Sequence, residues 1–406
     1  MSKKIITDEK AVETVLTRGV ENVYPERETL KKLLMSGKQI TLYCGYDPNS
    51  PTLHIGHGVT IHKLAQFQKL GHKVIFLFGD FTGQIGDPDK LSVRQQINHE
   101  QVLENLKGWK EQIKNLIDLD QVDFKFNSHW LAKLTFKDLI GIAQHFTVQQ
   151  MLDRDMFQKR MSDNRPIYLH EFFYPLMQAY DSVAMDVDLE VGGNDQTFNM
   201  LCGRTLMKVM GKKEKCVLTT KLLVDPTGKK MGKSEGNMVT MIDKPEDIYG
   251  KVMSWSDEIM PSAFEILTDV PMVEFQEMLD KVKSGAIHPR NAKMKLAYEV
   301  VKTYCKEEAA NKAQDNFVRV FQEHEKPNEI AIVKIAEEKV VAGKIGVLDL
   351  FVSTGLAKSN GEVRRLIAEK GIKIEDVVVT DEKMQVEIGS GVLLQRGKKQ
   401  FLKAVK

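Results

Sequence analysis

The sequence contains little cysteine, and none of it lies in a pattern that binds metal or forms a disulfide framework. Four cysteines occur among 406 residues, at positions 44, 202, 216 and 305, with no Cys-x-x-Cys pair. This excludes disulfide-rich secreted domains and zinc ribbons, and no bound metal is expected. No apolar run approaches the roughly 18–20 residues that cross a bilayer, and the first residues lack the apolar centre of a signal peptide. These absences predict a cytoplasmic protein that does not bind membranes.

Length and charge indicate several domains and a polyanionic partner. A chain of 406 residues exceeds one ordinary hydrophobic core, so two to three domains are expected. The net charge is only +2, but residues 339–406 carry 13 Lys and Arg against 8 Asp and Glu. A basic tail on a slightly acidic body suggests RNA as a partner. A solvated basic surface without a partner would give the same counts.

Two short segments far apart in the chain together indicate chemistry on ATP. The segment His54-Ile55-Gly56-His57 follows a strand-like apolar run and opens a helix-patterned stretch. A helix N-terminus attracts anions through its dipole and its free backbone N–H groups. The segment Lys230-Met231-Gly232-Lys233-Ser234 carries two lysines on a glycine-flanked loop that would bring cations to a polyphosphate. Each motif alone is weak, but in this order they predict nucleotidyl transfer from ATP.

Short apolar runs alternate with longer periodic ones between about residues 38 and 239, which predicts an α/β fold. An apolar run around Tyr43 is typical of a strand, and residues 59–70 are typical of a helix that follows it. Residues 73–78 are typical of a second, buried strand after that helix. Strand, helix and strand in this order form a right-handed unit of a parallel sheet. A further strand is expected at 187–191. Ligands of such sheets bind beyond the carboxyl ends of the strands, where both motifs would lie.

Six segments occur in the order found in tyrosyl-tRNA synthetases. They are Tyr43-Cys44-Gly45-Tyr46-Asp47-Pro48, His54 to His57, Gly86-Asp87-Pro88, Tyr174 to Asp181, Gly193-Asn194-Asp195-Gln196 and Lys230 to Ser234. The chain resembles this family over most of its length. The resemblance implies activation of L-tyrosine with ATP to tyrosyl-adenylate and pyrophosphate, and then transfer of tyrosine to the 3′ end of tRNA(Tyr), without a covalent enzyme intermediate. It also implies Mg²⁺ with the ATP phosphates and a homodimer; no DNA partner is expected.

The resemblance and the patterning together predict four parts. Residues 1–240 would form a Rossmann-like parallel-sheet catalytic domain with a helical insertion at about 100–165. The apolar face of that insertion would serve either a dimer contact or packing within the chain. Residues 241–325 would form an α-helical domain of the anticodon-binding type, 326–339 a linker, and 340–406 a small α+β RNA-binding domain similar to that of ribosomal protein S-four.

One helix is expected to line most of the tyrosine pocket. Tyr174 and Gln178 are four residues apart and Asp181 follows three later, which places all three on one helix face. Asp181 and Tyr43 would share the phenol oxygen of the substrate, because a phenol needs one acceptor and one donor. The resemblance assigns the substrate's ammonium group to Tyr174, Gln178 and Asp87.

The ATP site implied by the resemblance draws on both motifs and on the residues after two strands. Its members are Cys44, Gly45, Asp47, His54, Gly56, His57, Thr60, Asp195, Gln196, Lys230 and Lys233. Catalysis is assigned to His54, His57, Lys230 and Lys233, with the lysines on the departing pyrophosphate. Lys90 and Arg94 resemble a mobile cationic clamp, in a stretch one residue shorter than the usual one.

The basic tail contains the expected RNA contacts. These are Arg364, Arg365, Lys373, Arg396 and Lys398. Ser359 and Glu362 are typical of a capping box that starts a helix ending before Gly371. Such contacts would be salt-dependent and weakly sequence-specific.

Three other interpretations stay open on the sequence alone. A tryptophanyl-tRNA synthetase would keep the nucleotide motifs but would not be expected to carry Tyr43 together with Asp181. A non-catalytic RNA-binding protein built on a decayed synthetase would not need workable side chains at every pocket position. Other His-x-Gly-His nucleotidyltransferases are usually shorter and lack an RNA-binding tail.

Overall fold

The computed structural model describes residues 4–87, 98–224, 238–321, 331–336, 339–340, 343–388, 391–397 and 400–405. Contacts between residues divide the chain into two units, Met1–Ala310 and Asn311–Lys406. No helix among these residues is long and apolar enough to cross a membrane.

The described strands fall into two groups, six in the first unit and seven in the second. They are β1 (Val20–Tyr24), β2 (Thr41–Tyr46), β3 (Lys73–Phe78), β4 (Val122–Phe126), β5 (Leu189–Gly193), β6 (Cys216–Thr220), β7 (Ala331–Lys334), β8 (Lys344–Gly346), β9 (Ile372–Ile374), β10 (Val377–Val378), β11 (Gln385–Glu387), β12 (Val392–Arg396) and β13 (Gln400–Val405).

The described α-helices are more numerous than the strands. They are α1 (Glu9–Thr17), α2 (Arg27–Met35), α3 (Ile55–Lys69), α4 (Thr82–Ile85), α5 (His99–Leu106), α6 (Trp109–Ile113), α7 (Ser128–Leu131), α8 (Phe136–Ala143), α9 (Val148–Leu152), α10 (Asp155–Ser162), α11 (Phe173–Met185), α12 (Thr197–Val209), α13 (Pro245–Ser254), α14 (Met260–Leu267), α15 (Met272–Lys283), α16 (Pro289–Cys305), α17 (Glu307–Phe321), α18 (Val347–Ser353) and α19 (Asn360–Ala368).

The first unit is built on a six-stranded sheet of order β1-β6-β5-β2-β3-β4. All neighbouring strands run parallel except β1, which runs antiparallel to β6. The predicted βαβ unit is confirmed: β2 and β3 pair in parallel with α3 between them, and β3 has the predicted bounds. Five consecutive residues of β3 are buried, as is typical of a parallel strand covered on both faces.

Helix α3 lies against the sheet, and its sequence is adapted to burial on nearly all sides. It contacts β2, β3, β5 and α14. Its polar side chains are satisfied internally: Lys63 Nζ donates to the carbonyls of Val15 at 2.9 Å and Arg18 at 2.7 Å. A Cβ at Gly58 would lie 2.1 Å from the hydroxyl of Tyr304, so only glycine allows α16 to approach α3 this closely.

The segment predicted as a helical insertion also contributes a strand to the sheet, which corrects the prediction. β4 pairs in parallel with β3 and forms the sheet edge. Val122, Phe124 and Phe126 alternate with two charged residues, a period of two that is typical of a strand. The chain after β4 therefore starts at the carboxyl edge of the sheet, close to where ligands bind.

The regular structure of residues 241–310 is helical, and the extent of the helical domain predicted at 241–325 stays a prediction. Helix α16 packs against α13, α14 and α15, and α14 also contacts α3. Arg18 lies 5% exposed in this arrangement and donates to the carbonyls of Val270 and Thr268, both at 2.5 Å. These helices thus belong to the same compact unit as the six-stranded sheet.

The second unit has an α+β arrangement. Its five-stranded sheet has the order β10-β9-β12-β13-β7, in which β7 is parallel to β13, and β8 pairs with β11. β7 lies within 326–339, the range predicted as a linker, because its backbone completes the edge of this sheet. Phe351, Val363 and Leu394 are fully buried in the shared core of helices and strands.

The start of α19 differs from the predicted capping box. Ser359 Oγ accepts the N–H of Glu362 at 3.3 Å as expected, but the Glu362 carboxylate accepts the N–H of Lys358 at 2.7 Å instead of that of Ser359. Between β9 and β10, Glu375 and Asp376 both have positive φ, at 48° and 66°. This is the backbone that Asn-Gly turns adopt most easily.

Candidate active site

A cleft of about 580 Å³ lies at the carboxyl ends of β2, β3, β5 and β6. Thirteen of the predicted site residues line it: Cys44, Gly45, Asp47, His54, Gly56, His57, Thr60, Asp87, Tyr174, Gln178, Asp181, Asp195 and Gln196. Lys90, Arg94, Lys230 and Lys233 lie outside the described residues. The fold therefore gathers side chains from five separate segments at one edge of the sheet.

The paired histidines cap α3 and do not leave its first N–H groups free. His54 Nδ1 accepts the N–H of Gly56 at 3.1 Å, and His57 Nδ1 accepts the N–H of His54 at 3.2 Å. The N–H of Ile55 donates to the carbonyl of Val239 at 3.0 Å. The expectation that free backbone N–H groups would bind an anion is therefore wrong, because the motif itself uses them.

The same capping bonds determine which nitrogen of each histidine donates. Since Nδ1 is the acceptor in both rings, each neutral imidazole carries its proton on Nε2. The rings lie 3.8 Å apart at 33°. Two ring N–H donors and the positive end of the α3 dipole thus stand in place of the backbone groups.

At one end of the cleft, Asp181 is held by two donors from the segment after β4. Its Oδ1 accepts the indole N–H of Trp130 at 2.7 Å, and its Oδ2 accepts the amide N–H of Asn127 at 3.3 Å. Only 2% of Asp181 is exposed, and this burial raises its pKa well above the usual range, while the two donors act in the opposite direction. The result is a carboxyl group held in a fixed position at the cleft.

Next to it, Asp47 joins β2 to α11 and α4. Its Oδ2 accepts the hydroxyl of Tyr174 at 2.7 Å and its Oδ1 that of Thr82 at 2.7 Å. Burial raises the pKa of Tyr174 well above its usual value. A Cβ at Gly79 would lie 2.0 Å from Asp47 Oδ1, so the glycine that ends β3 makes room for this carboxylate.

Tyr43 is the predicted second partner of the substrate phenol, and that role stays a prediction. It is fully buried among apolar residues, and the lining of the cleft does not include it. Its hydroxyl lies 2.8 Å from Ser182 Oγ, whereas Asp181 is bound by Trp130 and Asn127. A buried phenol needs a hydrogen-bond partner, and the residue after Asp181 supplies it.

Gln178 connects the cleft to a buried ion pair. Its Nε2 donates to Glu190 Oε1 at 3.0 Å. Glu190 pairs with Lys215, whose Nζ also donates to Ser182 Oγ at 2.9 Å. Burial lowers the pKa of Lys215, and Glu190 opposes that change.

The remaining predicted residues form the far side of the cleft. Gln196 Nε2 donates to Asp87 Oδ2 at 2.8 Å, and Gln196 Oε1 accepts the side-chain N–H of Asn199 at 3.0 Å. Thr60 Oγ1 donates to the carbonyl of His57 at 3.0 Å. Burial raises the pKa of the Cys44 thiol to about 12, so this thiol is protonated at neutral pH and is a poor nucleophile.

The chain on either side of the second motif reaches this cleft. Leu223 precedes the undescribed residues 225–237 and lines the cleft, as does Met238 after them. Thr240 forms a β-bridge with His54. Two segments that are almost 200 residues apart in sequence are thereby joined at the N-terminus of α3.

The predicted RNA-binding residues differ in their exposure and in the ion pairs that they form within the second unit. Arg396 is half-buried and donates to Glu362 Oε1 at 2.7 Å, which ties β12 to α19. Arg365 is exposed, and Arg364 forms an exposed pair with Glu382 at 3.1 Å. Lys373 lies on β9, and Lys398 lies outside the described residues.

Sequence reasoning missed four residues of the site: Asn127, Trp130, Glu190 and Lys215. Asn127 and Trp130 directly follow β4, and polar residues after a parallel strand are a usable signal. Glu190 is a charged residue inside an apolar strand, which also marks it. No feature of the sequence distinguishes Lys215 from its surface neighbours in a lysine-rich stretch.

Comparison with known proteins gives a consistent family. A family model described as tRNA synthetases class I (W and Y) matches residues 35–322. The tyrosine–tRNA ligase of Moorella thermoacetica is 44% identical over 392 residues, covering 95% of this chain and 94% of that protein. The tyrosine–tRNA ligase of Thermotoga maritima is 41% identical over 398 residues, covering 98% and 97%.

Solved structures show the same fold. A C-terminally truncated mitochondrial tyrosyl-tRNA synthetase of Aspergillus nidulans matches with a TM-score of 0.64 at 23% identity, covering 77% of this chain and 95% of that one. The tyrosyl-tRNA synthetase of Archaeoglobus fulgidus, solved in complex with L-tyrosine, matches with a TM-score of 0.60 at 23% identity, covering 76% and 100%.

Proposed function

The chain belongs to the class I tRNA synthetases of the tryptophan and tyrosine type, and from this premise we propose that it joins L-tyrosine to tRNA(Tyr) at the expense of ATP. Full-length relatives that are tyrosine–tRNA ligases support the choice of tyrosine.

The observation that carries the proposal is the carboxyl group of Asp181 at one end of the cleft. It is buried, it is fixed by Trp130 and Asn127, and it offers an acceptor to a phenol O–H. A site built to hydrogen-bond a substrate hydroxyl rejects the analogue without it, because its buried polar groups would be left unpaired; tyrosyl-tRNA synthetase is the known example. Asp181 therefore selects tyrosine over phenylalanine.

At the other end of the tyrosine pocket, three acceptors suit an ammonium group. The Tyr174 hydroxyl donates to Asp47 and so keeps its oxygen lone pairs toward a ligand donor. Gln178 and Asp87 line the same cleft. An ammonium group has three donors and no acceptor, which fits this set.

The first reaction is an in-line displacement on ATP. A carboxylate oxygen of tyrosine attacks the α-phosphorus, the bond to the bridging oxygen breaks, and pyrophosphate leaves with the electron pair. The enzyme contributes position and electrostatic stabilisation of the phosphoryl oxygens. His54 and His57 provide Nε2–H donors, and Lys230 and Lys233 hold the pyrophosphate.

The rest of the ATP is bound around the same edge of the sheet. Asp195 suits a ribose hydroxyl, and the backbone at Gly45 and Gly56 admits the nucleotide. Lys90 and Arg94 act as a further cationic clamp. Mg²⁺ enters the site bound to the ATP phosphates, as it commonly does in enzymes that use ATP. Among the residues that the structure describes, no three His, Cys, Asp or Glu side chains are grouped so that they could hold a metal ion.

In the second step a ribose hydroxyl at the 3′ end of tRNA(Tyr) attacks the adenylate carbonyl, and AMP leaves. Residues 241–325 serve anticodon recognition and residues 340–406 bind RNA. Arg364, Arg365 and Lys373 are the described cations for phosphate contacts, whereas Arg396 stabilises the unit through Glu362.

The enzyme works as a homodimer in the cytoplasm. On α8 and at the start of α9, Phe136, Ile140 and Val148 are 78%, 56% and 62% exposed. Large apolar side chains exposed on consecutive helices suit an interface with a second copy of the chain. Sedimentation at micromolar concentration should give twice the 46.1 kDa mass of the chain; a monomer would contradict the dimer.

Amino-acid-dependent ATP–pyrophosphate exchange tests the proposed function. Tyrosine should support exchange and tryptophan should not. Exchange with tryptophan alone would show the other member of the family. Exchange with neither, in a folded protein that still binds tRNA, would favour a non-catalytic RNA-binding role.

A matched pair of variants tests the RNA contacts. Arg365→Met should weaken tRNA binding and reduce the salt slope by about 1, because one phosphate contact is lost. Arg396→Met should instead lower the stability of the second unit. Equal salt slopes for wild type and Arg365→Met would remove Arg365 from the interface.

A further inference from the structure

Beside the tyrosine pocket lies a network of buried polar groups, of which Gln178 and Glu190 line the cleft and Lys215, Ser182 and Tyr43 do not. Lys215 and Glu190 form an ion pair at 0% and 2% side-chain exposure. Ser182 Oγ lies 2.9 Å from Lys215 Nζ and 3.4 Å from Glu190 Oε2, and it also contacts the hydroxyl of Tyr43. Glu190 Oε1 accepts the side-chain amide of Gln178.

The fold makes room for this ion pair at a specific place. A Cβ at Gly203 on α12 would lie 2.5 Å from Lys215 Nζ and 2.9 Å from Ser182 Oγ. Glycine at this position therefore lets the ammonium group pass between α12 and α11. A buried ion pair gains little stability over apolar residues of the same size. Its presence beside a substrate-binding residue calls for a functional reason.

The charge of Glu190 determines the orientation of the Gln178 amide. A carboxylate only accepts hydrogen bonds, so Gln178 must present its NH₂ group to Glu190 and its carbonyl oxygen to the other side. In the part of the chain that the structure describes, that oxygen receives no hydrogen bond. Gln178 lines the cleft, so the oxygen is available to a ligand donor.

We propose that Lys215 and Glu190 are positioning residues that hold the Gln178 carbonyl oxygen toward the cleft, where it accepts a hydrogen bond from the ammonium group of the amino-acid substrate. The inference rests on the proposed function for the identity of that substrate. Lys215 pairs with Glu190, Glu190 accepts the hydrogen bond of the Gln178 amide N–H, and the Gln178 carbonyl oxygen thereby faces a ligand donor. Neither positioning residue touches the reacting atoms.

Removing the lysine should make tyrosine binding depend on pH. In Lys215→Met, Glu190 is buried without its cation, so its pKa rises. Once protonated, Glu190 donates to the Gln178 oxygen and turns the NH₂ group toward the ammonium, which repels it. The other ionisable groups near the pair are Tyr43, Cys44, Asp181, Cys202 and Arg204. Tyr43 and Cys44 are neutral at neutral pH, since burial raises the pKa of each side chain.

The experiment measures the tyrosine KM by pyrophosphate exchange across neutral pH. In Lys215→Met, the KM should exceed the wild-type value by about tenfold at the acidic end of that range and approach it at the alkaline end. The KM for ATP and kcat should stay near wild type. Comparing variants at each pH cancels the titration of the substrate itself.

Two further variants separate positioning from damage to the fold. Lys215→Met combined with Glu190→Gln removes both ionisable groups of the pair, so its tyrosine KM should be raised by the same factor over wild type at every pH. Lys63→Met removes another buried lysine, bonded only to the carbonyls of Val15 and Arg18 among described residues. It should lose stability and keep the wild-type tyrosine KM at every pH.

The outcomes are distinct. A pH-dependent tyrosine KM in Lys215→Met alone supports the inference. A pH profile of Lys215→Met that matches wild type, with wild type active on tyrosine, overturns the inference and leaves the proposed function standing. Absence of tyrosine-dependent exchange in wild type overturns both.

Discussion

The two ends of the cleft are built in opposite ways. At the tyrosine end, Asp181 is buried and bound by Trp130 and Asn127, and Gln178 is bound by Glu190. At the nucleotide end, the two histidines use Nδ1 to cap α3, and the predicted lysines belong to residues 225–237, whose described neighbours lie at the cleft. At the first end, other side chains thus hold the Asp181 carboxyl group and the Gln178 amide nitrogen.

This difference between the two ends matches two separate tasks, the selection of the amino acid and the stabilisation of the departing pyrophosphate. Selection of one amino acid requires buried groups that lose their partners when the wrong ligand binds. Stabilisation of a departing pyrophosphate requires positive charge and donors where the negative charge develops. Changes at the tyrosine end should therefore appear in tyrosine binding, and changes at the nucleotide end in the rate of chemistry.

The largest effect is expected for Asp181→Ala. Its kcat/KM for tyrosine should fall by about 10³-fold, because Trp130 and Asn127 are left without a ligand-facing acceptor. The KM for ATP should change little. Pyrophosphate exchange gives both values, and the exposed Asp163→Ala is the control. A loss below about tenfold would show that Asp181 does not bind the substrate.

Lys233→Ala should mainly affect the rate. Adenylate formation in a single turnover should slow by about 10²–10³-fold, since one cation is lost from the pyrophosphate, while tyrosine binding stays as in wild type. The exposed Lys212→Ala controls for net charge. A rate within about threefold of wild type would refute the assignment of Lys233.

His54→Ala should combine a slower reaction with a weaker helix start. We expect a rate loss of about 10²-fold and a loss of about 1 kcal/mol in the free energy of unfolding, because the acceptor for the Gly56 N–H disappears. His54→Asn keeps a capping oxygen and should recover the stability. If His54→Ala unfolds at the same denaturant concentration as wild type, the capping role is contradicted.

Trp130→Phe should give the smallest change. Loss of the indole donor should raise the tyrosine KM by about tenfold. Asp181 binds the phenol as a carboxylate, so tyrosine affinity is lost as pH falls through its pKa, which burial already raises. Without Trp130 that pKa rises further, and affinity should be lost at a higher pH than in wild type. Superimposable KM–pH profiles would contradict this.

Local patterns predicted the elements that depend on local sequence. The apolar run 73–78 is β3 with the predicted bounds, and α3 begins where the histidine motif places it. The spacing of Tyr174, Gln178 and Asp181 predicts one helix, and all three lie on α11 and line the cleft. Spacing predicts the strand and the shared helix face, whereas the place of these three residues in a pocket is what the family resemblance implies.

Partners across long stretches of sequence could not be predicted. Trp130 and Asn127 donate to Asp181 although more than 50 residues of sequence separate them from it. Strand β4 lies in a region whose pattern predicts helices. Tyr43 pairs with Ser182 and not with its neighbour Asp181, because one step along a helix turns the side chain by about 100°. Lys215 becomes buried only because Gly203 leaves space for it.

The most direct test of the account is a thermodynamic cycle between the substrate hydroxyl and Asp181. Calorimetry would measure the binding of tyrosine and of phenylalanine to wild type and to Asp181→Ala. If Asp181 selects the phenol, wild type should prefer tyrosine strongly and Asp181→Ala should lose at least about 2 kcal/mol of that preference. An equal preference in both proteins would contradict the account.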